Sequence, residues 1–115
     1  MKIELTDGER LVASYLIASL NGPPQGQGLD LAGARIVAGL QDALSLRQLT
    51  IERDDQADVK GRYELEQIGM EWMRDEIDRR ARERSIPARF AKYVVMLHDR
   101  LRNSLDGTEK EQERT

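Results

Sequence analysis

The apolar residues near the C-terminal end of this chain recur at a spacing that places them on one face of a helix. Phe90, Val94, Leu97 and Leu101 follow one another at intervals of four, three and four residues. An α-helix has about 3.6 residues per turn, so these side chains form a continuous stripe. A stripe of this kind is stable in water only when other elements cover it. We therefore expect a fold of helices that pack on their apolar faces.

Three further segments have the same helical period. We expect helices over about 7–20, 31–45 and 67–84, each with one apolar face. Thr6 and Glu9 have the spacing of a capping box at the start of the first helix, in which each side chain accepts a hydrogen bond from the other residue's amide. With the helix of the C-terminal stripe, these segments predict four amphipathic helices.

The segment between the first two predicted helices has the composition of a loop. Asn21 and Gly22 are followed by two prolines, and a glycine cap followed by proline is typical of a helix end. Gly26 and Gly28 lack the spacing of a phosphate-binding glycine motif. We expect a linker here, with Asp30 capping the second helix.

Short segments of alternating polar and apolar residues predict a small sheet. Residues 2–5, 48–53 and 61–65 have this pattern. A polar turn separates the last two segments, so residues 48–65 are expected to form a hairpin. The predicted fold class is mainly α (α+β), with four amphipathic helices and a sheet of two or three strands.

The two halves of the chain resemble each other. Five of eleven aligned residues are identical between 34–44 and 91–101, and 2–5 matches 62–65. Each strand-like segment leads into two helices. The pattern indicates a duplication that gives two pseudo-symmetric strand–helix–helix units.

The two repeat units span residues 2–46 and 62–104. Neither unit can bury its apolar faces alone, so both are expected to pack into a single compact helical domain over 1–105. Residues 106–115 contain no core-forming side chain. We expect this segment to be a disordered polar tail.

Composition excludes several classes of function. The chain has no cysteine, which excludes disulfides, zinc–thiolate and iron–sulfur sites and thiol catalysis. No apolar run reaches the about 20 residues of a membrane span, and the expected location is the cytoplasm. His98 is the single histidine, and Asp54, Asp55 and Asp58 lack the glycine and glutamate of a calcium loop. We expect no metal, no cofactor and no enzymatic activity.

Charge is unevenly distributed along the chain. Residues 1–73 carry a net charge of −5, residues 74–102 carry +4, and residues 103–115 carry −2. The basic segment is either a solvated helix face or a set of contacts to nucleic-acid phosphates. The candidate contacts are Arg79, Arg80, Arg82, Arg84, Arg89 and Lys92.

The string Gly-Arg-Tyr-Glu-Leu over 61–65, followed by a helix, resembles the wing end of winged-helix regulators. That resemblance implies a nucleic-acid-binding transcriptional regulator as an alternative function. The upstream part of the chain departs from the family. It has room for two helices before the hairpin instead of three, and the helix over 31–45 offers little beyond Arg35 for base or phosphate contacts.

Methionines near aromatic residues suggest an adaptable binding face. The candidate partner-binding residues are Met70, Trp72, Met73, Tyr93 and Met96. The alternative is that they fill the core. The leading hypothesis is a small non-enzymatic protein-interaction module, a bacterial or phage-type adaptor or regulator that binds another protein. A homodimer is also expected, through the C-terminal stripe extended by Ile86 and Leu105.

Overall fold

The computed structural model describes residues 1–18 and 31–113 of the 115-residue chain. In these ranges the regular elements are β1 (Lys2–Thr6), α1 (Asp7–Ala18), α2 (Leu31–Ala43), β2 (Lys60–Glu64), α3 (Gln67–Arg82) and α4 (Ala91–Glu113). Short 3-10 turns cover Leu46–Gln48, Asp54–Asp58 and Ala88–Phe90. The predicted fold class, mainly helical with a small sheet, is confirmed. The loop expected around 21–28 and the cap expected at Asp30 lie outside the described residues.

Helix α4 occupies the centre of the core. Leu97 and Leu101 are fully buried, and the other residues of the stripe, Phe90, Val94 and Leu105, are also buried. Helices α1 and α3 and strand β1 pack against α4. The stripe is therefore covered within one chain and is not free to form a homodimer contact, while the homodimer itself stays a prediction.

Strands β1 and β2 pair antiparallel, with Ile3 opposite Tyr63. Met1 and Leu65 exchange two backbone hydrogen bonds, with N···O distances of 2.9 Å and 2.8 Å. Hydrogen-bonded pairs alternate along such a ladder, so the odd-numbered residues of both strands direct their N–H and C=O groups toward each other. Ile3 and Leu5 face the core and are buried.

The sheet has a local twofold symmetry that matches the internal sequence repeat. Ile3 pairs with Tyr63, the residue with which the repeat aligns it. On either side of this pair, Lys2 lies opposite Glu64 and Arg62 lies opposite Glu4. Each strand leads into two helices, as the repeat predicts. The duplication itself, and the domain boundary at 105, remain predictions.

The predicted hairpin over residues 48–65 is wrong. Residues 49–53 form no strand, and β2 pairs with β1 instead. The Oε1 atom of Gln56 accepts hydrogen bonds from the amides of Glu52 and Arg53, at 2.6 Å and 3.0 Å. These two amides are therefore not available to a strand ladder. The hairpin that would have formed the wing of a winged-helix protein does not form.

Helix α4 extends to Glu113, into the segment expected to be a tail without regular structure. Glutamate, lysine and glutamine have high helix propensity, which favours continuation of the helix even where no apolar residue anchors it. None of the helices within the described ranges combines the length and the apolar character needed to cross a membrane.

The predicted capping box is confirmed, and it is part of a larger buried contact. Thr6 Oγ1 accepts from the Glu9 amide at 3.2 Å, and Glu9 Oε1 accepts from the Thr6 amide at 3.4 Å. Arg100 Nε donates to the same Glu9 oxygen at 2.8 Å. Glu9 is fully buried. This carboxylate therefore joins the start of α1 to α4.

Arg10 holds the C-terminal end of α2 in place. Its Nε and Nη2 atoms donate to the Leu44 carbonyl at 2.9 Å and 2.6 Å, while Asp7 Oδ1 accepts from Nη1 at 2.9 Å. The last carbonyls of a helix lack partners within it, so the guanidinium satisfies one of them. Helix α2 is thereby fixed relative to α1, which positions one wall of the cavity described below.

Candidate functional site: a cavity between α2 and α3

The five candidate partner-binding residues do not form one surface. Met70 and Met73 are fully buried and fill the core, as the alternative interpretation predicted. Trp72, Tyr93 and Met96 are half-buried. The Tyr93 hydroxyl donates to Asp58 Oδ1 at 3.2 Å. The sequence pattern placed these residues together because they are close in the chain or in the repeat, whereas the fold distributes them between the core and its edge.

Two arginines of the basic segment have structural roles. Arg80 is buried; its Nε lies 3.2 Å from Glu76 Oε2, and its Nη2 donates to the Leu16 carbonyl at 3.0 Å. Arg79 Nη2 lies 2.8 Å from Glu76 Oε2, and Arg79 Nη1 lies 3.3 Å from Glu83 Oε1. The hydrogen bond with Glu76 raises the pKa of the Arg79 guanidinium. Arg80 is therefore too buried to contact phosphates, whereas Arg79 is half-buried and paired with two glutamates.

The other four cations of the set are exposed. Lys92 Nζ lies 3.9 Å from Asp58 Oδ1. Arg82, Arg84 and Arg89 form no ion pair with any residue in the described ranges. These three residues lie at the corner where α3 ends and the turn before α4 begins, and we call them the arginine corner.

Arg84 has a left-handed backbone conformation, with φ 55°. Its amide donates to the Ala81 carbonyl at 3.2 Å, and the Ser85 amide donates to the Arg80 carbonyl at 3.0 Å. This is a Schellman motif, in which glycine is the usual residue at the left-handed position. An arginine there costs about 1–2 kcal/mol of backbone energy relative to a right-handed conformation.

A cavity of about 590 Å³ lies between α2 and α3. Its apolar lining comes from both helices, from the end of β2 and from the first residue of the chain. These lining side chains are Met1, Ile36, Leu40, Ala43, Leu65 and Ile68. Binding sites for ligands are typically mostly apolar and about 300–1,000 Å³ in volume. The cavity falls within that range.

The rim of the cavity carries both signs of charge. Arg35 is exposed on the α2 side, and Glu64 and Glu66 lie on the opposite side, where β2 ends. The Met1 amine donates to Glu64 Oε1 at 2.7 Å. This hydrogen bond lowers the pKa of the Glu64 carboxyl below its ordinary value. The Glu64 carboxylate on this rim therefore stays ionised at neutral pH.

Two glycines shape the cavity. Gly69 of α3 faces Leu40 of α2, and a Cβ built at Gly69 would lie 2.9 Å from Leu40 Cδ2. The two helices therefore approach closely at this point. Gly39, one residue before Leu40, also lines the cavity, but a Cβ built there meets no heavy atom within 4 Å. The space beside Gly39 is open.

The sequence did not predict this cavity. Ile68 belongs to the helix expected over 67–84, where it is 52% exposed and lies at the cavity. Ile36 belongs to the helix expected over 31–45, and it is half-buried. The sequence does contain the helical glycines Gly39 and Gly69. They indicate a cavity only once it is known which helices pack together. Within the described ranges, no three His, Asp or Glu side chains are grouped so as to hold a metal ion.

Comparison with known proteins adds no further constraint on the site. No family model, no curated protein and no solved structure matches this chain. The function is therefore inferred mainly from the geometry of the cavity between α2 and α3.

Proposed function

We propose that this chain is a small non-enzymatic interaction module, an adaptor or regulator of bacterial or phage type. It binds a segment of another protein in the cavity between α2 and α3. The observation that supports this proposal is an open, mostly apolar cavity of about 590 Å³ with charges of both signs on its rim. Its proposed location is the cytoplasm, since a cysteine-free chain is suited to a reducing compartment.

The shape and chemistry of the cavity favour an amphipathic helix as the partner segment. Two helices form the walls, and apolar anchors spaced along one face of a third helix can enter such a groove. The rim favours a partner with an acidic residue near Arg35 and a basic residue near Glu66. Apolar contacts at the centre would supply most of the affinity, and the rim charges would set the orientation.

Substitution of Gly39 tests the proposal without removing any existing contact. Gly39→Leu places a side chain into the open space, and leucine is a better helix former than glycine. The matched control is Ala38→Leu, since Ala38 is exposed on α2 and does not line the cavity. Proteins captured by the wild-type chain are identified, and their affinity for each variant is measured.

The expected result is a partner that binds the wild-type chain and the Ala38→Leu variant equally, and binds Gly39→Leu at least tenfold more weakly. The free energy of unfolding of Gly39→Leu should not be lower than that of the wild type. Equal binding by all three proteins would refute the proposed site.

A second candidate function is nucleic-acid binding at the arginine corner. The observation that favours it is that Arg84 is exposed, has no acidic partner in the described ranges, and occupies a backbone conformation in which glycine is usual. Strained residues of this kind cluster at functional sites. If the corner contacts phosphates, Arg82→Gln should reduce the slope of log affinity against log salt by about 1, while Arg102→Gln on α4 should not. Absence of measurable DNA or RNA binding at low salt would refute this candidate.

A further inference from the structure

Strand β2 has β1 on one side and an open edge on the other. Gly61, Tyr63 and Leu65 direct their backbone groups toward β1. The intervening residues Lys60 and Arg62, and Glu64 after them, therefore direct theirs away from β1. All three are exposed, and their outward N–H and C=O groups have no hydrogen-bond partner in the described ranges. An unpaired edge of this kind is a template for another strand.

The outer edge of β1 is less suited to pairing. The Thr6 amide is directed to Glu9 Oε1 at 3.4 Å, and Thr6 is buried. The chain then enters α1 at Asp7. The extended backbone at β2 is longer, because Glu66 also has an extended conformation, with φ −75° and ψ 147°. The available edge therefore runs from Lys60 to the amide of Glu66. The Glu66 carbonyl already accepts from the amides of Gly69 and Met70, at 3.1 Å and 3.2 Å.

The charges along this edge are complementary to themselves when the strand is reversed. Lys60 and Arg62 are basic, and Glu64 and Glu66 are acidic, all on the outer face of the strand. If two copies pair antiparallel about Tyr63, Arg62 of each copy lies opposite Glu64 of the other. Lys60 of each copy then lies opposite Glu66 of the other. Opposite charges directly across a strand pair stabilise it.

Other registers can also place the outward N–H and C=O groups of the two β2 strands opposite each other, but these registers bring like charges together. Pairing centred on Arg62 places two arginines opposite each other, and pairing centred on Glu64 places two glutamates opposite each other. Pairing centred on Gly61 places Lys60 opposite Arg62. Like charges directly opposite destabilise a strand pair. The charge pattern therefore selects the register centred on Tyr63.

We propose that this chain forms a homodimer by antiparallel pairing of β2 with β2 of a second copy, centred on Tyr63. The product is a four-stranded sheet with β1 at each outer edge. The contact is related by a twofold axis and closes on itself, so it gives a dimer and not a filament. This inference does not rest on the proposed function, although Glu64 and Glu66 of the strand edge also lie on the rim of the cavity.

Charge reversal at the strand edge provides the test. The mass in solution is measured by sedimentation equilibrium from micromolar to millimolar concentrations. The wild-type chain is expected to approach twice its 13.1 kDa mass. Arg62→Glu places glutamates opposite each other in a homodimer, and Glu64→Arg places arginines opposite each other. Each variant alone is expected to remain monomeric, whereas Arg102→Glu on α4, with the same change of charge as Arg62→Glu, should behave as the wild type.

An equimolar mixture of the two edge variants tests the register. In the heterodimer, both acidic side chains of the Arg62→Glu variant, at positions 62 and 64, lie opposite basic side chains of the Glu64→Arg variant, so the doubled mass should return. Circular dichroism checks that each variant is folded. If either edge variant is unfolded, the two single variants Lys60→Glu and Glu66→Lys replace the pair. Lys60 faces the uncharged Thr6 on β1, and its exposed contact with Glu4, at 3.9 Å, contributes little to stability. A wild-type mass of 13.1 kDa at millimolar concentration, or a mixture that stays monomeric while the wild type dimerises, would overturn the proposal.

Discussion

Adding one methyl group at either of two helical glycines is expected to change stability in opposite directions. Gly39 lies within α2, and a Cβ at this position meets no heavy atom within 4 Å. Alanine in a helix interior is more stable than glycine by about 0.5–1 kcal/mol, because glycine loses more backbone entropy on folding. Gly39→Ala should therefore raise the free energy of unfolding by about this amount.

Gly8 lies in the first turn of α1, and the ring of Tyr93 lies directly against it. A Cβ built at Gly8 would lie 2.5 Å from both Cδ1 and Cε1 of Tyr93. The ring must move to accommodate a methyl group, and its hydroxyl is bound to Asp58 Oδ1 at 3.2 Å. Overpacking of this kind costs about 1–3 kcal/mol. Gly8→Ala should therefore lower the free energy of unfolding by about that amount.

Urea unfolding of the two variants and the wild type measures both effects. The free energies of Gly39→Ala and Gly8→Ala are expected to differ by about 1.5–4 kcal/mol, with unchanged dependence on urea concentration. A Gly8→Ala variant as stable as the wild type would show that the Tyr93 ring does not pack against α1 in solution. A Gly39→Ala variant that loses stability would show that the space beside α2 is filled, which would also remove the basis for the proposed cavity.

Leu97 is fully buried at the centre of α4, so Leu97→Ala should cost about 2–5 kcal/mol, and an unchanged urea midpoint would place this residue outside the core. Arg84→Gly should stabilise the chain by about 1 kcal/mol, because glycine adopts the left-handed conformation without strain. Arg84→Ala keeps that strain and should not stabilise, so thermal unfolding with equal gains for both variants would contradict the assigned backbone conformation.

The features that the sequence predicted correctly depend on residues close together in the chain. The period of Phe90, Val94, Leu97 and Leu101 is a property of one helix, and it correctly predicted a buried face. The capping box of Thr6 and Glu9 spans one turn. Spacing along one helix determines the relative positions of these residues, so both patterns can be recognised before any tertiary contact is known.

The ion pairs of α3 show that spacing along the chain does not always predict which side chains pair. Spacing of four residues predicts Asp75 with Arg79, Glu76 with Arg80, and Asp78 with Arg82. In the structure, the pair Glu76–Arg80 forms. Asp78 Oδ1 instead lies 2.8 Å from Nε2 of His98 on α4. This contact exists because α3 packs against α4. His98 therefore lies at a helix–helix boundary, in keeping with a structural role.

The strand pairing and the cavity depend on residues far apart in sequence. The segment over 61–65 was recognised as a strand, but its partner is β1 and not residues 48–53. Alternation of polar and apolar residues identifies a strand without specifying its neighbour. The cavity requires α2 and α3 to meet at Gly69, which no local pattern encodes.

Photo-crosslinking from single introduced cysteines tests the proposed docking site most directly. The chain has no cysteine, so Gly39→Cys and Arg84→Cys each carry one photoreactive probe, at the cavity and at the arginine corner respectively. Both are irradiated in extracts of the source cells, with and without nuclease treatment. If a protein segment docks in the cavity, a polypeptide is crosslinked from position 39 and survives nuclease treatment, and no such product forms from position 84. Crosslinks from position 84 alone that disappear on nuclease treatment would contradict docking in the cavity.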